Sequence, residues 1–151
     1  MQVGVISDTH GLLRPEALRA LAGVEAILHA GDVGNARILE ALGRIARVTA
    51  IRGNIDQTGA CAALPATEWV ELGGSAFYLI HDLQELDLEP AAAGIAVVVS
   101  GHTHQAKVER RGDVLFLNPG SAGPRRFRLP LTVARVTVED GQVEAGIVEL
   151  E

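Results

Sequence analysis

Short apolar runs recur along the chain, and most of them end in a small residue followed by a polar side chain. Residues 95–99 (IAVVV) are largely β-branched and lack polar alternation, which is typical of a strand covered on both faces. Residues 2–7, 24–30 and 47–51 have similar patterns and predict three more strands. The core is therefore expected to be built on sheets.

Helical segments separate the first three strands. Pro15 suits the first turn of a helix that ends at Gly23, and Asn35 is the expected N-cap of a helix over residues 36–42. A strand–helix–strand–helix–strand order implies parallel strands with right-handed crossovers. The first third of the chain thus predicts a parallel sheet.

From residue 67 the pattern changes to β-hairpins. Residues 67–72 and 75–81 flank a Gly-Gly turn and predict the first hairpin. Residues 55–66 predict a loop or a short helix, and residues 83–93 predict one or two amphipathic turns interrupted by a proline. Two more hairpins are predicted, 106–110 with 114–118 and 131–139 with 142–150.

The composition predicts a single globular domain over residues 1–151. The chain is 48% hydrophobic and 21% charged, which is enough for a buried core without disulfides. Cys61 is the sole cysteine, so no internal disulfide can form, which fits a cytoplasmic location. No apolar run approaches the roughly 20 residues that span a membrane, and the N-terminus lacks the features of a signal peptide.

Polar side chains stand at the ends of the predicted strands. Asp8 and His10 are separated by one residue, so extended backbone directs both to the same side. Asp32 and Asn54 follow the second and third strands. Because the carboxyl ends of parallel strands share one edge of a sheet, we expect these four residues to meet. Later strand ends add three histidines to the candidate set: His81, His102 and His104.

Some of these residues also have an ordinary structural interpretation. Asp8 suits the turn that it would cap, and a His-X-His pair such as that in SGHTH is common in polar loops. His29 precedes its strand end and is predicted to be a buried, hydrogen-bonded residue rather than a ligand. Taken together, however, the candidates predict a metal site. Their mixed nitrogen and oxygen donors favour Mn, Fe, Zn or Co over Ca or Mg, and their number exceeds what one ion needs.

In this order, DTH, GD, GN, an isolated His, GHTH and NPGS resemble the motifs of the calcineurin-like metallophosphoesterases. More narrowly, they resemble the small, capless YfcE-like phosphodiesterases, over essentially the whole chain. The resemblance implies an α/β (mixed α+β) fold, a four-layer αββα sandwich of two mixed β-sheets flanked by helices. It also implies one metal on Asp8, His10 and His104, a second metal on Asn54, His81 and His102, and Asp32 as the bridge between them.

The same resemblance implies a phosphodiesterase with two divalent transition-metal ions; manganese is preferred, and nickel, iron, cobalt and zinc are the other candidates. A hydroxide shared by the metals would attack phosphorus directly, without a covalent enzyme intermediate. Asn54 and His104 are the expected catalytic residues, and the Asn54 amide would donate to a phosphate oxygen. Arg14 and Arg125, or Arg126 in place of Arg125, are candidate contacts to a small phosphorylated substrate, although surface arginines without a role are the plainer interpretation.

Two positions depart from the family pattern. Many relatives carry a histidine, a candidate proton donor to the leaving group, where this chain has Ile55, and this favours substrates with good leaving groups such as aryl phosphodiesters. The residue after the isolated histidine is usually glycine and is Asp82 here. Aspartate tolerates left-handed backbone, so we expect the turn to be retained, with an added carboxylate near the second metal.

Two other functions stay open. The same fold serves as a scaffold in a retromer subunit, although the intact ligand positions count against that function here. A nuclease is disfavoured by the net charge of −6, by the aromatic content of 3% and by the lack of an accessory domain. We expect no membrane partner and no general nucleic-acid binding, and a homo-oligomer stays open.

Overall fold

The chain forms two five-stranded mixed β-sheets in a computed structural model that describes residues 1–126 and 128–150. The strands are β1 (Gln2–Ile6), β2 (Ala26–His29), β3 (Arg47–Ala50), β4 (Thr67–Leu72), β5 (Ser75–Ile80), β6 (Val97–Val99), β7 (Lys107–Arg111), β8 (Val114–Asn118), β9 (Thr132–Glu139) and β10 (Gln142–Glu149). The helices are α1 (Pro15–Ala20), α2 (Ala36–Gly43) and α3 (Pro90–Ala93), with 3₁₀ turns at Ala60–Ala63 and Leu83–Glu85.

The first sheet has the strand order β10-β9-β1-β2-β3. Strands β1, β2 and β3 are parallel, with Val5 opposite Leu28 and Leu28 opposite Thr49, as the alternation of strands and helices predicts. The hairpin of β9 and β10 joins the other side of β1 in antiparallel pairing. The carboxyl ends of β1, β2 and β3 therefore lie at one edge of this sheet.

The second sheet has the order β4-β5-β6-β8-β7 and is more than a series of hairpins. The predicted hairpins β4–β5 and β7–β8 are present, but β6 pairs in parallel with both β5 and β8. The three valines of β6 are completely buried, which confirms the predicted central strand. The loops that follow β5 and β6 consequently leave this sheet at the same edge.

The two sheets pack face to face around the main core. Phe77 and Val99 from the second sheet lie in one buried cluster with Val5 and Leu28 from the first. Helices α1 and α2 cover the outer face of the first sheet, where Leu42 is fully buried. Apolar residues of the segment 83–88 cover the outer face of the second sheet. The predicted four-layer sandwich is confirmed, and its fourth layer is thin because α3 is a single turn.

Local signals in the sequence account for the helix boundaries. The side chain of Asn35 accepts the N–H of Arg37 at 2.9 Å, which confirms the predicted N-cap of α2. Pro90 begins α3, because its restricted φ suits the first turn of a helix, and Gly94 ends α3 in left-handed backbone with φ 81°. Within the part of the chain that the structure describes, no helix is long and apolar enough to cross a membrane.

Removal of the Asn35 cap should lower the free energy of unfolding by about 1 kcal/mol, because the N–H of Arg37 then loses its acceptor at the start of α2. Urea unfolding of the Asn35→Ala variant measures this loss. The matched control is Asn35→Asp, which keeps an acceptor oxygen at the same place. Equal unfolding free energies for the two variants would show that the cap contributes nothing.

Candidate metal centre

The carboxyl-terminal edges of the two sheets meet, and the predicted ligands lie where they meet. A direct contact joins the edges, since the backbone N–H of His102 donates to Oδ2 of Asp8 at 3.1 Å across 94 residues of sequence. The loops after five strands contribute side chains: Asp8 and His10 after β1, Asp32 after β2, Asn54 after β3, His81 after β5, and His102 and His104 after β6.

Asp8, His10 and His104 form a first group of potential ligands. Oδ1 of Asp8 lies 3.6 Å from Nε2 of His10 and 3.3 Å from Nε2 of His104. One ligand atom of each residue lies within 4.8 Å of the other two, so a single ion can contact all three. The three residues predicted for the first metal are thus brought together.

A second group lies beside the first and shares residues with it. Nε2 of His81 is 3.3 Å from Oδ2 of Asp32 and 3.9 Å from Oδ1 of Asp8. The same Asp32 oxygen is 3.4 Å from Nε2 of His10, so this carboxylate stands between the two groups. Oδ1 of Asn54 lies 3.1 Å from Nε2 of His81 and 3.2 Å from Nδ1 of His102.

Each aspartate has one anchored oxygen and one oxygen turned towards the histidines. Oδ2 of Asp8 accepts the Ser7 hydroxyl at 2.6 Å, and Oδ1 of Asp32 accepts the N–H of Ile55 at 3.0 Å. Three buried atoms have no hydrogen-bond partner among the described residues: Asp8 Oδ1, His10 Nε2 and His104 Nδ1.

These unpaired atoms fit a cation. A buried polar atom without a partner costs about 1–3 kcal/mol, and several in one place are not tolerated without compensation. Carboxylate oxygens and imidazole nitrogens are both ligands of divalent transition metals, so an ion between Oδ1 of Asp8 and Nε2 of His10 would satisfy both atoms together. The donor set therefore agrees with the metal-binding class predicted from the motifs.

The backbone around the centre adopts left-handed conformations that side chains rarely take. Five of the predicted ligands have positive φ: Asp8 (56°), His10 (47°), Asp32 (55°), His102 (72°) and His104 (64°). Among the described non-glycine residues, Asp140 in the β9–β10 turn is the one other case. Such conformations cost of order 1 kcal/mol or more each and concentrate at functional sites.

His81 is oriented by a backbone contact on the side away from the centre. Its Nδ1 lies 2.7 Å from the carbonyl oxygen of Ala30, which can only accept, so Nδ1 carries the proton. In the neutral ring, the Nε2 lone pair then points towards Asp32 and Asn54. Burial lowers the pKa of His81, but the contacts with Asp32 and the Ala30 carbonyl outweigh it and raise the pKa above its usual value. Nε2 of His81, Oδ2 of Asp32 and Oδ1 of Asn54 therefore lie close together, and a cation would stabilise all three atoms.

His29 confirms its prediction as a buried, hydrogen-bonded residue. Nδ1 of His29 accepts the N–H of Gly31 at 3.2 Å, so the proton is on Nε2, which lies 3.0 Å from Oγ1 of Thr9. The Thr9 hydroxyl donates in turn to the carbonyl of Val33 at 2.9 Å. The neutral ring thus connects the loop of Asp8 and His10 with the loop of Asp32. Burial lowers the pKa of His29 to about 4.

Asp56 is a buried residue that belongs to none of the predicted ligand motifs. Its carboxylate accepts three backbone N–H groups, from Val33 at 3.1 Å, Gly34 at 3.0 Å and Gly53 at 2.8 Å. Val33 follows the ligand Asp32, and Gly53 precedes Asn54, so Asp56 ties the two loops together. A carboxylate two residues after Asn54 in a glycine-containing turn was the available sequence signal.

The NPGS segment supports the centre from the side of the second sheet. The Asn118 amide donates to the carbonyl of Gly101 at 3.0 Å and to Oγ1 of Thr103 at 3.1 Å, which holds the SGHTH loop. The Ser121 hydroxyl donates to the backbone carbonyl of Asp8 at 3.1 Å. This segment therefore positions both loops of the first ligand group.

The two departures from the family pattern have clear structural settings. Ile55 contributes its backbone N–H to Asp32, while its side chain is exposed. Asp82 has φ −108°, so the expectation of a left-handed turn at this position is wrong. Oδ1 of Asp82 instead accepts the N–H of Gln84 at 3.0 Å and caps the 3₁₀ turn Leu83–Glu85, a conformation that needs no glycine.

The predicted substrate arginines make their hydrogen bonds to backbone carbonyls and not to the predicted ligands. Nε of Arg14 donates to the carbonyl of Gly123 at 3.3 Å, and Arg125 donates to the carbonyl of Leu129 at 3.3 Å. Both line a cavity of about 140 Å³ in which no predicted ligand takes part. Substrate contact by Arg14 and Arg125 stays a prediction.

Arg126 affects one of the predicted ligands through its charge. Burial lowers the pKa of His104, and the positive charge of Arg126 lowers it further.

Two cavities open next to the second ligand group. The larger, of about 530 Å³, is lined by Asn54, His81 and His102, and by the carboxylates of Asp82, Glu85 and Asp87. The smaller, of about 350 Å³, is also lined by His102 and Asp82. Both have room for a small substrate next to the centre.

Carboxylates, an amide and imidazoles that converge where two mixed sheets meet are ligands of the kind that bind divalent transition metals. The chain belongs to the calcineurin-like phosphoesterase superfamily, whose domain profile matches residues 1–141. This match confirms the predicted family and the predicted class of enzyme, a metal-dependent phosphoesterase.

Individual relatives agree with this assignment. A probable metallophosphoesterase of Methanocaldococcus jannaschii is 36% identical over 165 residues, covering 100% of this chain and 82% of the relative. Phosphodiesterase YfcE of Escherichia coli is 32% identical over 145 residues, covering 80% and 79% of the two chains. The solved structure of Entamoeba histolytica Vps29 complexed with zinc has a TM-score of 0.77 at 22% identity and covers 99% of each chain, which shows the common fold.

Replacement of Asp56 should weaken divalent-metal binding about tenfold, the lower range for a residue that orients ligands through hydrogen bonds. In Asp56→Asn, an NH₂ group replaces one carboxylate oxygen. This NH₂ group can only donate, so it repels a backbone N–H that the oxygen accepts in the wild-type protein. Isothermal titration of the metal-free protein with Mn²⁺ measures the affinity. Asn35→Ala controls for lost stability, and a loss of affinity in both variants would contradict a specific effect of Asp56.

The His29 pKa predicts how stability changes with pH. Because the pKa is about 4 in the folded protein against 6.5 in the unfolded chain, only the unfolded chain binds this proton between those values. Lowering the pH through this window should therefore cost wild type about 3 kcal/mol more than His29→Gln. Urea unfolding of the metal-free proteins from pH 7 to pH 4 gives the comparison, and parallel curves would refute it.

Proposed function

We propose that this protein is a dinuclear, metal-dependent phosphodiesterase that hydrolyses small phosphodiesters in a single displacement at phosphorus. The observation that carries the proposal is the convergence of one ligand atom each from Asp8, His10 and His104 within 4.8 Å of one another, with Oδ1 of Asp8 and Nε2 of His10 buried and without a hydrogen-bond partner. No neutral partner satisfies a carboxylate oxygen and two imidazole nitrogens at one point as well as a divalent cation does.

We assign the ligands as the motif resemblance implies. Asp32 is proposed as the bridge because its Oδ2 atom lies between His10 and His81, at 3.4 Å and 3.3 Å from their Nε2 atoms. The first ion is assigned to Asp8, His10 and His104, and the second to Asn54, His81 and His102. Mixed nitrogen and oxygen donors favour a transition metal, and manganese is our preferred ion.

When bound, two divalent ions supply a hydroxide nucleophile at neutral pH and positive charge for the phosphate. Asp8 and Asp32 are the anionic members of the ligand set, so against about four positive charges the site would keep an excess of about two positive charges to attract phosphate. Oδ1 of Asn54 faces His81 and His102, which leaves its amide N–H groups to donate to a phosphate oxygen. Asn54 is therefore proposed both to bind the second ion and to orient the phosphate. His104 completes the first ligand group.

The proposed substrate class follows from the surroundings of the centre. Ile55 has no titratable group with which to protonate a leaving alcohol, so diesters with good leaving groups are favoured. The carboxylates of Asp82, Glu85 and Asp87 beside the larger cavity repel a polyanion such as nucleic acid. A small phosphodiester with a single negative charge meets both conditions.

Metal-stripped protein should hydrolyse bis-p-nitrophenyl phosphate only after a divalent ion is added, and faster than it hydrolyses p-nitrophenyl phosphate. Mn, Ni, Co, Zn and Mg are added in turn to wild type and to His104→Ala and Asn54→Ala. We expect each variant to lose roughly 100-fold or more in kcat/KM, since each removes a ligand and not only a residue that orients one. Asn35→Ala, outside the ligand groups, should retain activity.

Two outcomes would contradict the proposal. Stoichiometric metal binding without turnover on either ester would favour the scaffold function that the motif analysis left open. Absence of metal binding to the folded protein would remove the basis for both ligand groups.

A further inference from the structure

The smaller of the two cavities beside the centre, of about 350 Å³, has one predicted ligand, His102, among its lining residues. Nδ1 of His102 lies 3.2 Å from Oδ1 of Asn54, so a molecule in this cavity would be one side chain away from the second ligand group. Small-ligand sites have volumes of roughly 300–1,000 Å³. The cavity is at the lower end of that range and suits one small chemical group.

The register of the second sheet shows which side chains form the floor of this cavity. Phe116 belongs to the buried cluster on the outer face of the sheet, and Glu109 lies directly opposite it on β7. Val98 is in the same cluster, so the alternation along β6 places the side chain of Ser100 on the same face. The strand pairing continues to Ser100, because its N–H donates to the carbonyl of Leu117 at 3.0 Å. The floor is therefore apolar at Phe116 and carries a hydroxyl at Ser100.

The hydroxyl of Ser100 is the feature that points to a ligand. Ser100 is 5% exposed and lines the cavity. The hydroxyls of Ser7 and Ser121, which are also buried, both donate to Asp8, whereas the Ser100 hydroxyl takes part in no hydrogen bond among the described residues. Its Oγ atom is not one of the fully enclosed unpaired atoms of the centre, so it is accessible from the cavity. A group bound there can therefore exchange a hydrogen bond with Ser100.

The charged side chains of the cavity neutralise one another. Nζ of Lys107 lies 3.0 Å from Oε2 of Glu109, and Nε of Arg111 lies 3.2 Å from Oε1 of the same carboxylate. Asp82 is the other carboxylate in the lining, which thus carries two positive and two negative charges. The Arg111 guanidinium also lies 4.3 Å from the centroid of the Phe116 ring. The cavity consequently favours neither an anion nor a cation, and its flat surfaces suit contact with a ring.

We propose that this cavity binds one ester arm of the substrate, an uncharged group with a single ring and one hydrogen-bonding atom, and that Ser100 contacts that atom. Phe116 provides the apolar contact area. The inference rests on the proposed function for the reaction, and on the cavity alone for the binding of the ring. It narrows the proposed substrates to small phosphodiesters with an uncharged ring on one side of the phosphate.

Benzyl alcohol, which has one ring, one hydroxyl and no charge, is the probe for binding. Its titration into the ¹⁵N-labelled, metal-free full chain should shift the amide signals of residues that line the cavity, such as Ser100, Gln84 and Phe116. Ser100→Ala should weaken this binding about fivefold, the effect of one lost hydrogen bond, without lowering stability in urea unfolding. Ser75→Ala is the matched control, because Ser75 is a buried serine of the same sheet that does not line the cavity.

Kinetics show whether a substrate uses the cavity. Benzyl p-nitrophenyl phosphate and methyl p-nitrophenyl phosphate have the same leaving group and differ in the other ester arm. Gln84→Trp places a large side chain in the exposed wall of the cavity and should lower the benzyl-to-methyl ratio of kcat/KM about tenfold, because the ring loses part of its apolar burial. The bond from the Gln84 N–H to Asp82 uses the backbone and is retained. Glu89→Trp, at an exposed residue that lines neither cavity, should leave the ratio unchanged.

Amide shifts away from the cavity, or equal binding of benzyl alcohol by wild type and Ser100→Ala, would overturn the proposal. An unchanged kcat/KM ratio in Gln84→Trp would overturn it as well. If neither ester is hydrolysed with any metal while benzyl alcohol still binds in the cavity, the proposed function fails and the cavity loses its role in the reaction, but the binding site itself is supported.

Discussion

The carboxylate of Asp8 is the point on which the two halves of the molecule depend. It is fully buried, and its Oδ2 atom accepts a hydroxyl from its own strand end and a backbone N–H from the loop after β6. Burial of a carboxylate is costly unless charge or hydrogen bonds compensate it. The facing edges of two sheets supply part of that compensation, and Oδ1 is left for a cation.

Two buried side chains, the neutral ring of His29 and the carboxylate of Asp56, hold the loops around Asp8. His29 links the loops after β1 and β2, and Asp56 links those after β2 and β3. Left-handed backbone at five ligand positions persists because these contacts over-determine it. The centre is therefore preorganised by the fold, and its strain is distributed over several short loops.

Much of this arrangement could be predicted from residue order. The apolar runs and turn residues located every strand, and the strand–helix alternation predicted the parallel pairing of β1, β2 and β3. Parallel pairing of β6 with β5 and β8 was not predicted, because it depends on how residues 83–93 pack across a sheet face. The left-handed turn expected at Asp82 was wrong because its side chain caps the following 3₁₀ turn.

By itself, the sequence determined the family, the positions of the strands and of the first two helices, and the residues that lie at strand ends. The spacing of residues and the chemistry of their side chains are local properties, so they can be read from the sequence without knowledge of the fold. Only the tertiary structure decided which oxygen of each aspartate faces the histidines, which nitrogen of His29 and His81 carries the proton, and that Asp56 joins two ligand loops. Those features depend on contacts between residues far apart in sequence, and such distances are set by the packing of the two sheets.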